Sequence, residues 1–154
     1  MLLLKKDMRN ITTKTVNQTQ KLAANLAKKI IKAGPLDNGA LVVGLVGDLG
    51  AGKTVFTQGF AAALGVKEKV VSPTFVLLRR YKIEISGFKN LIHIDAYRIE
   101  NSEEILELGW KQIVEDPENI IVVEWAERVK NILPKKSIEI KIEHFEKDKR
   151  RIGF

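Results

Sequence analysis

Gly47-Asp48-Leu49-Gly50-Ala51-Gly52-Lys53-Thr54 fits the spacing G-x-x-x-x-G-K-[ST]. Glycines at that spacing let successive backbone N–H groups converge on phosphate oxygens, and a following helix adds the partial positive charge of its N-terminus. Lys53 is then placed to reach the β- and γ-phosphates, and the Thr54 hydroxyl to ligate Mg²⁺. Two carboxylates could complete such a site. Glu124 ends the apolar run Ile120–Val123, the Walker B pattern, and Asp95 ends Leu91–Ile94. An acid at the tip of a buried strand is costly unless it is paired or bound to metal. Read on residues alone, each is either a metal partner, direct or through water, or a strand-end cap. Ser72-Pro73-Thr74 stands where nucleotide hydrolases often carry a switch segment that offers a hydroxyl to the γ-phosphate and Mg²⁺; on spacing alone it is equally a turn. Arg98 either stabilises phosphate charge or pairs with Glu100. His93 reads as a core or surface histidine rather than a ligand, since His144, the other histidine, is far off at a C-terminal turn.

The elements that must hold these residues are legible in the hydrophobic pattern. Ala40–Val46 is a short apolar run expected as a buried strand before the glycine loop, and a helix is expected from Lys53 to about Leu64, with Gly65 at its end. Before it, Leu22, Leu26 and Ile30 recur every four residues, which predicts an amphipathic helix over Thr15–Ala33, closed by Gly34-Pro35. Further strands are expected at 75–85, 91–95, 120–123 and 137–145, with a last one at Arg151-Ile152. Short helices are expected at 101–108 and from Ala126 to Leu133, and Trp110 reads as core. Residues 1–14 read as an edge strand or a loose arm. The order of types predicts a single α/β domain over 1–154: a P-loop nucleotide hydrolase with a mixed parallel/antiparallel sheet flanked by helices.

Bulk composition narrows the function classes. The chain has 154 residues, 45% of them hydrophobic, which is ample for one core. No apolar run approaches the roughly 20 residues of a membrane span, and Met1–Leu4 is too short for a signal-peptide core. There is no cysteine, so disulfides, thiolate metal sites and cysteine nucleophiles are excluded. A cytoplasmic location is expected, with no membrane or DNA partner. The net charge of +7 sits at the ends: residues 1–32 carry eight basic residues and one acid, and residues 135–154 carry seven and four. Contact with RNA or an acidic partner is one reading of that charge, and solvated faces are the other.

These segments together resemble the TsaE (YjeE) family of bacterial ATPases needed for the tRNA threonylcarbamoyladenosine (t6A) modification. The resemblance runs through Gly47–Thr54, Thr57-Gln58-Gly59-Phe60, Ser72-Pro73-Thr74-Phe75, His93-Ile94-Asp95-Ala96-Tyr97-Arg98, the stretch from Glu103-Glu104 to Leu108-Gly109, and Glu124-Trp125. It implies ATP and Mg²⁺ as cofactors, with Thr54 and Glu124 holding the metal and Gly50, Ala51, Gly52, Lys53, Thr54 and Val55 around the phosphates. It implies that Asp95 is the catalytic acid or an outer partner of the metal, and that Trp125 is needed for activity. Thr19 and Arg151 fall on family positions close to the nucleotide. Val55 stands where many members have threonine, and Asn17 and Gln18 replace acids common before the N-terminal threonine. The implied partners are TsaD and TsaB, with tRNA reached indirectly through them. A small nucleoside or metabolite kinase is the alternative that shares the P-loop. An RNA-binding module driven by the basic ends is a second.

Overall fold

The apolar runs become the centre of one sheet. The structure, a computed structural model, describes residues 10–73 and 75–154. Its strands are β1 (Ile11–Thr13), β2 (Leu41–Val46), β3 (Leu78–Ile85), β4 (Phe88–Asp95), β5 (Asn119–Glu124), β6 (Ile138–Phe145) and β7 (Lys149–Gly153), in the spatial order β1-β7-β6-β2-β5-β4-β3. β2 pairs in parallel with β5 and β6, and β5 with β4. The wings β3–β4, β6–β7 and β1–β7 are antiparallel. This is the expected mixed α/β architecture. The parallel centre must be covered on both faces, and β2 and β5 are buried almost throughout.

Alternation along the strands sorts the core into two layers. Leu41, Val43, Leu45, Ile120 and Val122 pack with Leu26 and Ile30 of α1 (Val16–Ala33) and with Phe56 and Phe60 of α2 (Lys53–Ala63). Val42, Ile121 and Val123 pack instead with Ile105 of α3 (Glu103–Glu107), Trp110 and Ile113 of α4 (Trp110–Glu115), and Val129 of a 3₁₀ turn, Ala126–Val129. Each fully buried side chain of this size contributes about 1.5–3 kcal/mol relative to exposure. α1 and α2 are in close contact at Gly59, where a Cβ would lie 2.5 Å from the Gln20 backbone. The side chain of Thr15 caps α1 by accepting the Gln18 N–H, while Gln18 Oε1 accepts the Lys14 N–H, a variant of the capping box. α2 ends in a Schellman motif, with Gly65 N–H bonded to Ala62 O and Val66 N–H to Ala61 O, both 3.1 Å.

Four expectations shift. The strand expected from Phe75 starts only at Leu78, because the amides of Val76 and Leu77 turn back to the Pro73 carbonyl. The expected turn at 86–90 contracts to Ser86-Gly87, with φ of 50° and 88°, the pair of positive angles that a tight hairpin wants, so β4 begins at Phe88. The segment after Glu124 tightens into 3₁₀ geometry through Arg128 N–H to Trp125 O and Ile132 N–H to Val129 O, rather than forming an α-helix to Leu133. Trp110 is core as expected but opens its own short helix, its indole N–H donating to Ile132 O at 3.2 Å. Of the N-terminal 14 residues, Ile11–Thr13 form an edge strand and 1–9 lie outside the described residues. Among the described residues no helix is long and apolar enough to cross a membrane.

Candidate functional site

The glycine loop runs from β2 into α2, across the end of the sheet where β4 and β5 also finish. Open parallel sheets bind ligands at this carboxyl edge of their strands. Gly47 passes so close to β6 that a Cβ would lie 2.2 Å from Ile142 O, so no other residue fits. Gly52 occupies the N-cap of α2 in the left-handed region, and Lys53 and Thr54 form the first turn. The first amides of α2 therefore face the cleft with the favourable end of the helix dipole.

Lys53 is buried, its ammonium donating to Gly47 O and, at 2.8 Å, to Asp48 O. It also lies 4.0 Å from the centre of the Trp125 ring. Burial pushes its pKa below the ordinary lysine value, and the carboxylates of Glu124, Glu127, Asp95 and Asp48 oppose that shift. Phosphate oxygens would compete with the loop carbonyls for the same ammonium.

Glu124 and Asp95 lie side by side at the ends of β5 and β4, with Glu124 also in register with Leu45 of β2. Both carboxylates are buried and both have hydrogen-bonding partners. Glu124 Oε2 accepts from the Thr54 hydroxyl at 3.0 Å, and Oε1 is approached by His93 Nε2 at 2.8 Å and the Thr57 hydroxyl at 3.3 Å. Asp95 accepts the Tyr97 N–H at 2.9 Å on Oδ1 and the Ser72 hydroxyl on Oδ2. Glu124, Asp95, Thr54 and Tyr97 line a cleft of 410 Å³ with Lys53, Ser72 and Trp125 on its walls.

The donor set fits magnesium. Thr54 and Glu124 offer hard oxygens, already within hydrogen-bond distance of each other. Among the described residues no cluster of three or more His, Cys, Asp or Glu could form an all-protein metal cage. Mg²⁺ is characteristically held by one or two protein oxygens together with phosphates and waters.

A second hollow shares Gly50, Gly52 and Val55 with the cleft and is lined further by Lys14, Thr15, Thr19, Asp148 and Arg150. Thr19 is buried there, its hydroxyl 2.8 Å from that of Thr13. The β7 arginine that faces Gly50 is Arg150, whose Nη2 is 3.5 Å from Gly50 O, whereas Arg151 stacks on Phe145 at 4.0 Å. Strand alternation explains this, because Arg150 shares a face with buried Ile152 and Arg151 takes the other. Ala51 is fully buried beneath the loop. Pro73 accepts the Val76 and Leu77 amides, and Thr74 lies outside the described residues. Arg98 stacks on Phe75 at 5.1 Å.

Residue reasoning missed Thr57 and His93, both on Glu124. Thr57 lies one helical turn after Thr54, and His93 two residues before Asp95 on the same strand face, so each had a periodic signal. It also missed the aromatic wall, where Tyr97 and Trp125 rings are 5.0 Å apart and Arg128 lies 5.5 and 5.3 Å from them. Trp125 itself sits in the left-handed region at φ 59°, a position that costs about 1–3 kcal/mol in a non-glycine residue.

Comparison with known proteins agrees in one direction. Residues 13–152 match a family model described as Threonylcarbamoyl adenosine biosynthesis protein TsaE. The chain is 36% identical over 148 residues to the tRNA threonylcarbamoyladenosine biosynthesis protein TsaE of Bacillus subtilis (strain 168), covering 96% of this chain and 86% of that one. It is 38% identical over 140 residues to the protein of the same name from Rickettsia conorii, covering 90% and 73%. The crystal structure of YdiB from B. subtilis superposes with a TM-score of 0.66 at 28% identity, covering 93% of this chain and 81% of that one.

Proposed function

The chain belongs to the TsaE family, and from that premise we propose that it is a Mg²⁺-dependent P-loop ATPase of tRNA t6A biosynthesis, acting in the cytoplasm with TsaD and TsaB. A role in t6A biosynthesis is what its family and relatives are named for. The observation that carries the ATPase reading is the 3.0 Å contact between the Thr54 hydroxyl at the head of α2 and Glu124 Oε2 at the end of β5. Two hard oxygens so close to a helix N-terminus support the binding of Mg²⁺ together with phosphate.

In this reading the loop amides and Lys53 hold the phosphates, and Thr54 and Glu124 hold the metal. Bound Mg²⁺ supplies Lewis-acid neutralisation of charge on the phosphoryl oxygens. Asp95 orients the Ser72 hydroxyl, which ties the start of the switch to the cleft. Trp125 covers Lys53 and limits water access. Leu49, Val71, Phe75 and Val76 are exposed apolar side chains beside the loop and the switch, a surface of the kind a partner covers. Ordering of the switch by nucleotide would shape that surface for the TsaD–TsaB pair, and hydrolysis would release it.

The test is Mg²⁺-dependent ATP hydrolysis by the chain, alone and with its host's TsaD–TsaB pair, with Thr54→Ala as control. Turnover stimulated by the pair and abolished by the control is the expected result. Equal turnover with and without the pair would remove the partner assignment, and a phosphorylated acceptor in place of free phosphate would identify a kinase.

A further inference from the structure

His93 is fully buried on β4, and among the described residues its Nδ1 has no hydrogen-bond partner, while its Nε2 lies 2.8 Å from Glu124 Oε1. Buried polar atoms are nearly always paired, so a histidine that leaves one nitrogen unpaired is held in place for what the other does. Three side chains converge on the Glu124 carboxylate, but they are not equivalent. The Thr54 hydroxyl takes Oε2 at 3.0 Å. The Thr57 hydroxyl is 3.3 Å from Oε1, yet it is also 3.0 Å from the Lys53 carbonyl one turn earlier in α2. A hydroxyl has one proton and gives it mainly to the nearer acceptor. The shorter contact to Lys53 O takes it, which leaves His93 as the donor on which Oε1 depends. The proton therefore sits on Nε2. With Nε2 bare, two acceptors would face each other at 2.8 Å inside the core.

We propose that His93 is a positioning residue for the metal-facing oxygen of Glu124. Its Nε2–H ties down Oε1, so that Oε2 stays beside the Thr54 hydroxyl. The last torsion of a glutamate is broad and roughly two-fold, so nothing intrinsic to Glu124 selects the plane in which its two equivalent oxygens lie. The selection comes from outside the carboxylate, and His93 is rigid enough to make it because β4 is hydrogen-bonded on both sides, to β3 and to β5. The inference rests on the magnesium reading above and assigns His93 no contact with nucleotide.

The experiment uses the full chain with His93→Leu, His93→Asn and His93→Gln, and reads by calorimetry the affinity for a non-hydrolysable ATP analogue with Mg²⁺ and with EDTA. A glutamine can bring its amide N–H₂ to about the reach of Nε2, whereas asparagine stops near that of Nδ1. The expected result is that Leu and Asn raise the Mg²⁺ concentration needed for tight analogue binding about 10–100-fold, the usual effect of losing an outer partner of a metal ligand. Affinity in EDTA stays at the wild-type level, and Gln recovers most of the Mg²⁺ response. Asn and Gln variants with the same Mg²⁺ response would overturn the proposal, and both keep an amide in the core if Leu fails to fold. Loss of analogue binding in EDTA as large as the loss with Mg²⁺ would overturn it too, by showing a merely structural histidine. A wild-type chain that binds the analogue equally with Mg²⁺ and EDTA would instead sink the magnesium reading itself, and the role of His93 with it.

Discussion

Glu124 and Asp95 end adjacent strands in register, yet their surroundings differ in kind. Glu124 is gripped by Thr54 of α2 and His93 of β4, with Thr57 of α2 alongside, all on regular elements that share the core. Asp95 is held by Ser72 and by the Tyr97 amide, both in connecting segments. One carboxylate is fixed by the scaffold, and the other fastens loops to it. That division suits a site in which metal geometry must be constant while a switch segment responds to nucleotide.

Removing the scaffold-held carboxylate gives the largest expected effect. Glu124→Ala should lower Mg²⁺-dependent turnover by about 100-fold or more, since in the proposed site it deletes a metal ligand. It should also lower stability by about 1–3 kcal/mol, because the buried His93 N–H loses its acceptor. Hydrolysis rates and urea denaturation check the two parts. Asp95→Asn should cost about 10–100-fold in turnover with a stability change under about 1 kcal/mol, because Ser72 and Tyr97 can turn to water. Equal destabilisation by the two substitutions would erase the contrast.

The pH response of Lys53 sharpens it further. Burial lowers this pKa, and Glu124 counteracts it more than Asp95 does. A bound phosphate keeps the proton on the ammonium. Nucleotide affinity should therefore be full below the lowered pKa and fall as pH rises through it, by up to about tenfold per pH unit. Glu124→Gln should move that alkaline fall to lower pH, and Asp95→Asn should move it less. Calorimetric titrations across the alkaline range in EDTA would show it. The smallest effect is expected for Ser72→Ala, about fivefold in turnover, the worth of one hydrogen bond near 1 kcal/mol. A change in the Mg²⁺ requirement with that variant would contradict the separation of switch from scaffold.

Much of this site was legible before any coordinates. The strand–glycine loop–helix order, the acid at the end of each buried strand and the mixed sheet all follow from local periodicity, which reports which face a side chain takes. What periodicity does not report is which strand lies next to which. Thr57 and His93 had the right faces, but their meeting on Glu124 depends on β4 lying beside β5 and on α2 lying across them. The resemblance points to Arg151, whereas the arginine beside Gly50 O is Arg150, one residue away in a strand whose weak apolar pattern leaves one landmark, Ile152. The segment after Glu124 misled for a different reason. Its composition suits a helix, but Trp125 enters at positive φ and the chain tightens into i→i+3 bonds.

β3 closes one end of the sheet, with eight residues whose outer backbone groups pair with no strand among those described. Such an edge is a template on which another chain could polymerise. Arg79, Arg80 and Lys82 are exposed along it, and the β-bulge between Lys82 and Ile85 breaks its regularity. Like charges stacked against a second copy repel, and a bent ladder does not mate cleanly with a straight one. These charges and the bulge are the means by which a long hairpin edge stays solitary in a crowded cell.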